Sequence, residues 1–200
     1  MSSALIPLFV LLSFGQWAAE LLVESRRRPG RVEYRSSLYL QTLAVVLVLA
    51  LSLATSTGFT EPPRLLLVAT GVPLFALGAW LRWKAKADLG PYYSPHIEVR
   101  ARQPVIEHGL YAHLRHPAHL GLLLEGLAFP LALAAPWGLL AAVCGLLPIT
   151  ILRAALEDRV LSAHLPYGDY RARVPSLLPL KFPGRRTPLQ ASAAVPDAKE

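Results

Sequence analysis

The sequence predicts an all-α fold, a polytopic membrane helical bundle of about five transmembrane helices with a C-terminal helical hairpin. Three observations predict it. Apolar residues make up 54% of the 200 and charged residues 16%, against roughly 25% charged in a soluble domain. The apolar residues gather in five runs, about 4–23, 38–57, 65–81, 118–135 and 137–152. The charged residues are segregated between those runs.

A span needs ~20 apolar residues, within a range of ~17–25, and the first three runs meet it. The first run does not read as a signal peptide. No basic residue precedes it, and Arg26-Arg27-Arg28 follows it, the order of an anchor whose C-terminal end is cytosolic. Trp80 and Trp83 close the third run, as interfacial aromatics do. The fourth and fifth runs are short and flank Pro136. They read as a tight helical hairpin whose helices continue past the membrane surface. Residues 1–182 are then one membrane domain. Residues 183–200, rich in Pro, Ala, Ser and charge, read as a disordered tail.

Charge sets the orientation. With the N-terminus outside, segments 24–36, 82–116 and 153 onward are cytosolic. They carry nineteen of the twenty Lys and Arg, and Arg64 is the one left outside. Basic residues concentrate on the cytosolic side of membrane proteins. Arg outnumbers Lys sixteen to four, which suggests a GC-rich genome and a bacterial inner membrane. The net charge of +7 does not indicate a nucleic-acid partner, because the basic residues flank apolar runs rather than forming a groove. A single cysteine, Cys144, excludes an internal disulfide and reads as an inert packing residue.

The chemistry is expected in the cytosolic segments. Segment 84–119 holds five of the six histidines: His96, His108, His113, His116 and His119. The last three are spaced i, i+3, i+6 and would share a helical face. Pro117 disfavours helix at His116, and no cysteine or paired carboxylate completes a ligand set, so a metal site is not expected. No glycine-rich dinucleotide fingerprint, phosphate loop or nucleophile elbow is present.

Two blocks carry a resemblance. The first is Gly109-Leu110-Tyr111, then Arg115-His116-Pro117, then Gly121. The second is Arg153, Glu157, Tyr167-Gly168-Asp169-Tyr170 and the run from Val174-Pro175 to Pro179. Together, in this order around an apolar hairpin, they resemble the isoprenylcysteine carboxyl methyltransferase family, membrane enzymes that use S-adenosylmethionine. The resemblance covers roughly residues 70–180. It implies that Gln103, Val105, Ile106, Gly109, Tyr111, Arg115, His116, Pro117, His119 and Glu157 form the cofactor site. It also implies that Arg153 is a catalytic residue placed against the substrate. Gln103 stands where the family often has His, and His119 where it usually has Tyr.

Side-chain chemistry agrees with that assignment. Arg115 and the histidines offer donors to the cofactor carboxylate. Glu157 offers acceptors to its ammonium or ribose. Tyr111 offers a wall for the purine or sulfonium. Arg153 and Glu157 are four residues apart and share a helical face. Glu125 lies within the fourth apolar run, and an ionisable group there is a functional candidate. It is the candidate base for an acceptor that must lose a proton.

The expected function is methyl transfer to a lipophilic or lipidated acceptor that arrives from the bilayer. That acceptor is an isoprenylcysteine-like carboxylate or a phenolic, pyrone or quinone-like lipid hydroxyl. The alternatives are a histidine-ligated membrane metalloenzyme and a non-enzymatic membrane subunit or transporter. The sequence leaves the oligomeric state open.

Overall fold

The structure is a computed structural model that describes Gly15 and residues 30–56, 62–100 and 102–178. Strand β1, Arg31–Glu33, leads into helix α1, Arg35–Thr55. Helix α2, Pro62–Leu89, is followed by a 3-10 turn, Gly90–Tyr92, and strand β2, Ile97–Val99. A second 3-10 turn, Gly109–Ala112, precedes helix α3, Pro117–Ala132. Helix α4 runs Pro136–His164 and short helix α5 runs Gly168–Arg173.

Among the described residues, three helical stretches are long and apolar enough to cross a membrane: Arg35–Thr55, Leu66–Tyr92 and Pro136–His164. Helix α3 has 16 residues, just under the ~17–25 of a span. The expected run 4–23 and the tail 183–200 lie outside the described residues.

The observed helices outrun the apolar runs. The third run was expected to end at 81, yet α2 continues to Leu89. The fifth run ends at 152, and α4 continues beyond it to His164, as expected of a helix that outlasts its apolar run. In both, charge ends the apolar stretch but not the helix, since Arg, Lys, Ala and Leu are all good helix formers. What stops α2 is Gly90 at φ +54 followed by Pro91. The fold is also not purely helical. Strands β1 and β2 pair antiparallel, with Arg31 opposite Val99 and Glu33 opposite Ile97. Three-residue strands are too short to leave an alternating pattern in sequence.

The closest helix pair is α2 with α3. A Cβ added at Gly121 would stand 2.6 Å from the Gly78 carbonyl oxygen, and one added at Gly78 would stand 2.7 Å from that of Gly121. Gly71 meets the Ala132 backbone in the same way. Small residues here let backbone touch backbone, as membrane helices do. Phe75, Ala128, Phe129 and Leu133 fill the apolar cluster beside this seam.

Helix α1 packs on α4 through Val48, Ala142 and Leu146, with Leu123 of α3 between them. Within α4, residues Ala142–Leu146 form a π turn just before Pro148. A proline has no N–H to close the α ladder and its ring crowds the preceding turn, so the wider turn relieves it. Leu43, Leu66, Trp83 and Trp137 face outward, as side chains against lipid would. Cys144, expected to pack internally, is also exposed.

Gly121→Ala is expected to destabilise the protein by about 1–3 kcal/mol, the cost of overpacking a tight contact. Gly168→Ala, with nothing within 4 Å of the added Cβ, is expected to be neutral. Melting midpoints in detergent measure both.

Candidate active site

At one end of the bundle, segments far apart in sequence surround a cavity of about 90 Å³ that opens to solvent. Leu38 and Gln41 line it from α1, Arg82 and Leu89 from α2, and Tyr93 to His96 from the loop beyond. Tyr111, Arg115, His116, His119 and Leu122 line the opposite wall, and Arg153 and Glu157 come from α4.

The wall holding Arg115 and His116 is organised by Asp158, which is 4% exposed. One oxygen of Asp158 accepts from the Arg115 guanidinium at 2.5 Å. The other pairs with His116 Nε2 at 3.0 Å and accepts from the Tyr167 hydroxyl at 3.1 Å. Three donors satisfy a carboxylate that would otherwise be costly to bury. The chain after α5 adds a second hold. The backbone N–H groups of Arg115 and His116 donate to the Pro175 and Ser176 carbonyls at 2.9 and 3.1 Å. The Tyr170 hydroxyl donates to the Tyr111 carbonyl at 2.8 Å. Tyr167, Tyr170 and Val174 form a buried cluster against Val105.

Gly109 serves the loop in another way. It adopts φ +60, which only glycine takes without strain, and Asp88 fills the space a Cβ would occupy. The Asp88 carboxylate accepts from the Leu110 N–H at 2.9 Å, which ties the loop to the end of α2.

Arg153 is 3% exposed. Its guanidinium donates to Ser37 Oγ at 3.1 Å and to the Pro95 carbonyl at 2.7 Å. Gln41 Nε2 donates to Thr150 Oγ1 at 3.1 Å. These contacts join α1, the loop after α2, and α4 around the cavity. Arg82 pairs with Glu125 at 2.5 Å, both side chains being under a tenth exposed.

Of the residues singled out from sequence, Tyr111, Arg115, His116, His119, Arg153 and Glu157 line the cavity. Gln103, Val105, Ile106, Gly109, Pro117 and Glu125 do not. Gln103 Oε1 accepts from the Arg100 N–H, and Pro117 opens α3 at its first position, where the missing N–H costs nothing. Glu125 is turned to Arg82. Sequence reasoning passed over Asp158, Arg82, Gln41 and Tyr93. The signal for Asp158 was its place beside Glu157; nothing marked the other three.

His116 is flanked by carboxylates on both ring nitrogens, Asp158 at Nε2 and Glu157 at 3.5 Å from Nδ1. Burial opposes its charge, but the hydrogen bonds to Asp158 and Glu157 outweigh that and raise its pKa to about 9. Burial pushes the Tyr111 hydroxyl well above its usual value, and the nearby Glu157 charge adds to this. The Tyr167 and Tyr170 hydroxyls are likewise pushed up by burial. All three phenols are therefore neutral at neutral pH.

The expected absence of a carboxylate near the histidines is corrected. His116, His119 and Glu157 bring three ligand-type atoms within 4.8 Å of one another. The third histidine of the i, i+3, i+6 series, His113, is exposed on a 3-10 turn and is not in the group. Both ring nitrogens of His116 face carboxylates, so a metal ion there would have to displace a proton held between them.

A family model described as isoprenylcysteine carboxyl methyltransferase (ICMT) family matches residues 71–163. That span runs from Gly71 in α2 to Ala163 near the end of α4. No curated protein matches the chain.

Two outcomes follow from this network. The raised pKa of His116 stabilises the fold fully below its ordinary value of 6.5, and that contribution is lost as pH rises through about 9. The melting midpoint should fall across that window, and His116→Gln should flatten the slope. Asp158→Asn leaves two buried cations without their carboxylate and should cost about 3–5 kcal/mol. Glu107→Gln removes the exposed pair with Arg173 and should cost at most about 1 kcal/mol.

Proposed function

We propose that the chain, whose residues 71–163 match the isoprenylcysteine carboxyl methyltransferase family model, is a member of that family and transfers methyl from S-adenosylmethionine to a lipophilic acceptor. The family match and the apolar helices support an integral membrane methyltransferase.

One observation carries it. Buried guanidinium atoms with no hydrogen-bond partner among the described residues converge on one cavity: Arg115 Nε and Arg153 Nε. Glu157, about a third exposed, joins them. Buried donors left unpaired are costly, and a ligand bearing acceptors would satisfy them. The set suits a zwitterion with a ribose. Arg115 and Arg153 face a carboxylate. Glu157 receives an ammonium or ribose hydroxyls. Tyr111 forms the wall beside the purine or sulfonium. Gln103, Val105, Ile106, Gly109 and Pro117 shape the loop that carries these groups. When bound, the cofactor supplies an electrophilic methyl group on sulfur. The chain's task is to align the acceptor with it and to exclude water.

The apolar part of the cavity, Leu38, Leu89 and Leu122, supports an acceptor with a hydrocarbon body. Positive-inside bias supports a cytosolic site and C-terminus and an outside N-terminus, and the excess of Arg over Lys supports a bacterial inner membrane. The pairing of Glu125 with Arg82 supports a positioning role for Glu125, holding Arg82 at the cavity, in place of the base expected from sequence.

Calorimetry with S-adenosylmethionine in detergent should show saturable binding. His116→Ala and Glu157→Ala should each weaken it at least tenfold. Absence of binding by the intact protein would sink the reading.

A further inference from the structure

The methyltransferase reading leaves one group at the cavity without a task. His119 Nε2 is buried, lines the cavity and has no hydrogen-bond partner among the described residues. The other unpartnered atoms there belong to guanidinium groups, which do not take up a proton.

His96 and Tyr93 also line the cavity, and neither is without a partner; other titratable groups are committed as well. His116 faces carboxylates on both sides. Asp158 accepts from three donors. Glu125 pairs with Arg82 and does not line the cavity. Tyr111 is held protonated by burial. With its own proton on Nδ1, His119 presents the Nε2 lone pair to the cavity. Glu157 lies 3.8 Å from that nitrogen, close enough to stabilise an imidazolium once it forms. The other charges facing the ring are His116, whose ring centre is 5.5 Å away, Arg153 and Arg82.

A carboxylate acceptor reaches the site without a proton and needs no base. For such an acceptor, an unpartnered buried imidazole would be a cost with no return. A phenol ionises near pH ~10 and must shed its proton to attack. Resting on the methyl-donor reading above, we propose that His119 is the general base for a lipophilic hydroxyl acceptor, a phenol or enol, in place of a carboxylate. The acceptor oxygen forms a bond to the methyl carbon as the carbon–sulfur bond breaks, and that electron pair stays on sulfur. The hydroxyl proton passes to His119 Nε2. The imidazolium then returns it to water at the cavity mouth, and the products are a methyl ether and a neutral thioether.

Three acceptors test this in detergent: a long-chain alkylphenol, its nitro-substituted analogue that ionises unaided at assay pH, and a long-chain fatty acid. The intact protein should methylate both phenols and spare the fatty acid. His119→Phe and His119→Gln should lose ~10²–10⁴-fold on the alkylphenol, the usual worth of a general base. On the nitro analogue the loss should be at least tenfold smaller than on the alkylphenol. Calorimetry with S-adenosylmethionine separates any loss of donor binding, which both phenols share, from the loss specific to the alkylphenol. Without the methyl donor, absorbance titration of the bound nitro analogue should show phenolate at lower pH in the intact protein than in His119→Phe.

Equal losses on both phenols would make His119 structural and overturn the base. Preferential turnover of the fatty acid would overturn the acceptor class. Stoichiometric metal in the purified protein would occupy the lone pair and overturn the base. The absorbance titration needs no donor, so a failure of donor binding alone would overturn the parent reading and leave the proton transfer to be judged separately.

Discussion

Asp158 sits under the candidate site as a buried carboxylate with three donors, Arg115, His116 and Tyr167. Each donor comes with its own piece of chain. Arg115 and His116 bring the segment that enters α3, and Tyr167 brings the turn into α5. A buried anion of this kind is tolerable only while its partners stay in place, and the partners are tolerable only while it does. That mutual dependence fixes the end of α4 against the start of α3. The Pro175 and Ser176 carbonyls then complete the backbone hydrogen bonding of the same two residues. Glu157, one position away, is left free to look into the cavity.

The membrane part of the fold serves this arrangement through close approach. Gly78 against Gly121 brings α2 and α3 together with little between their backbones. At that distance, a residue one turn beyond each glycine can reach across the seam. Arg82 and Glu125 do so, and both are nearly excluded from solvent. The pairing keeps two charges within a largely apolar bundle and brings Arg82 to the cavity wall. The π turn in α4 makes a related adjustment. It shifts the register ahead of Thr150, Arg153 and Glu157, which meet the α1 side or the cavity.

Much of this was legible in the chain. The alternation of apolar runs with basic segments located the helices and the end of the bundle where polar residues gather. The two motif blocks named six residues that line the cavity. The rest was hidden for physical reasons. The end of α2 was misjudged at 81 because a change in polarity marks a change of solvent, whereas a helix stops at groups such as Gly90 and Pro91. Asp158 was overlooked because neighbouring helical residues point about 100° apart, and nothing in one sequence says which of Glu157 and Asp158 faces the cavity. Glu125 looked like a lone intramembrane acid because its partner lies 43 positions away. The histidine spacing suggested a shared face, but Pro117 starts a new helix between His113 and His119, so the spacing does not act as one helical period.

The cavity's dependence on residues 153–178 bears on how the protein is made. A ribosome delivers α1, α2 and α3 well before the segment that carries Asp158, Tyr167 and the Pro175 and Ser176 carbonyls. Until that segment emerges, Arg115 and His116 have neither their carboxylate nor their backbone acceptors. The seam between α2 and α3 can therefore form before the wall built by Arg115 and His116 is held in place.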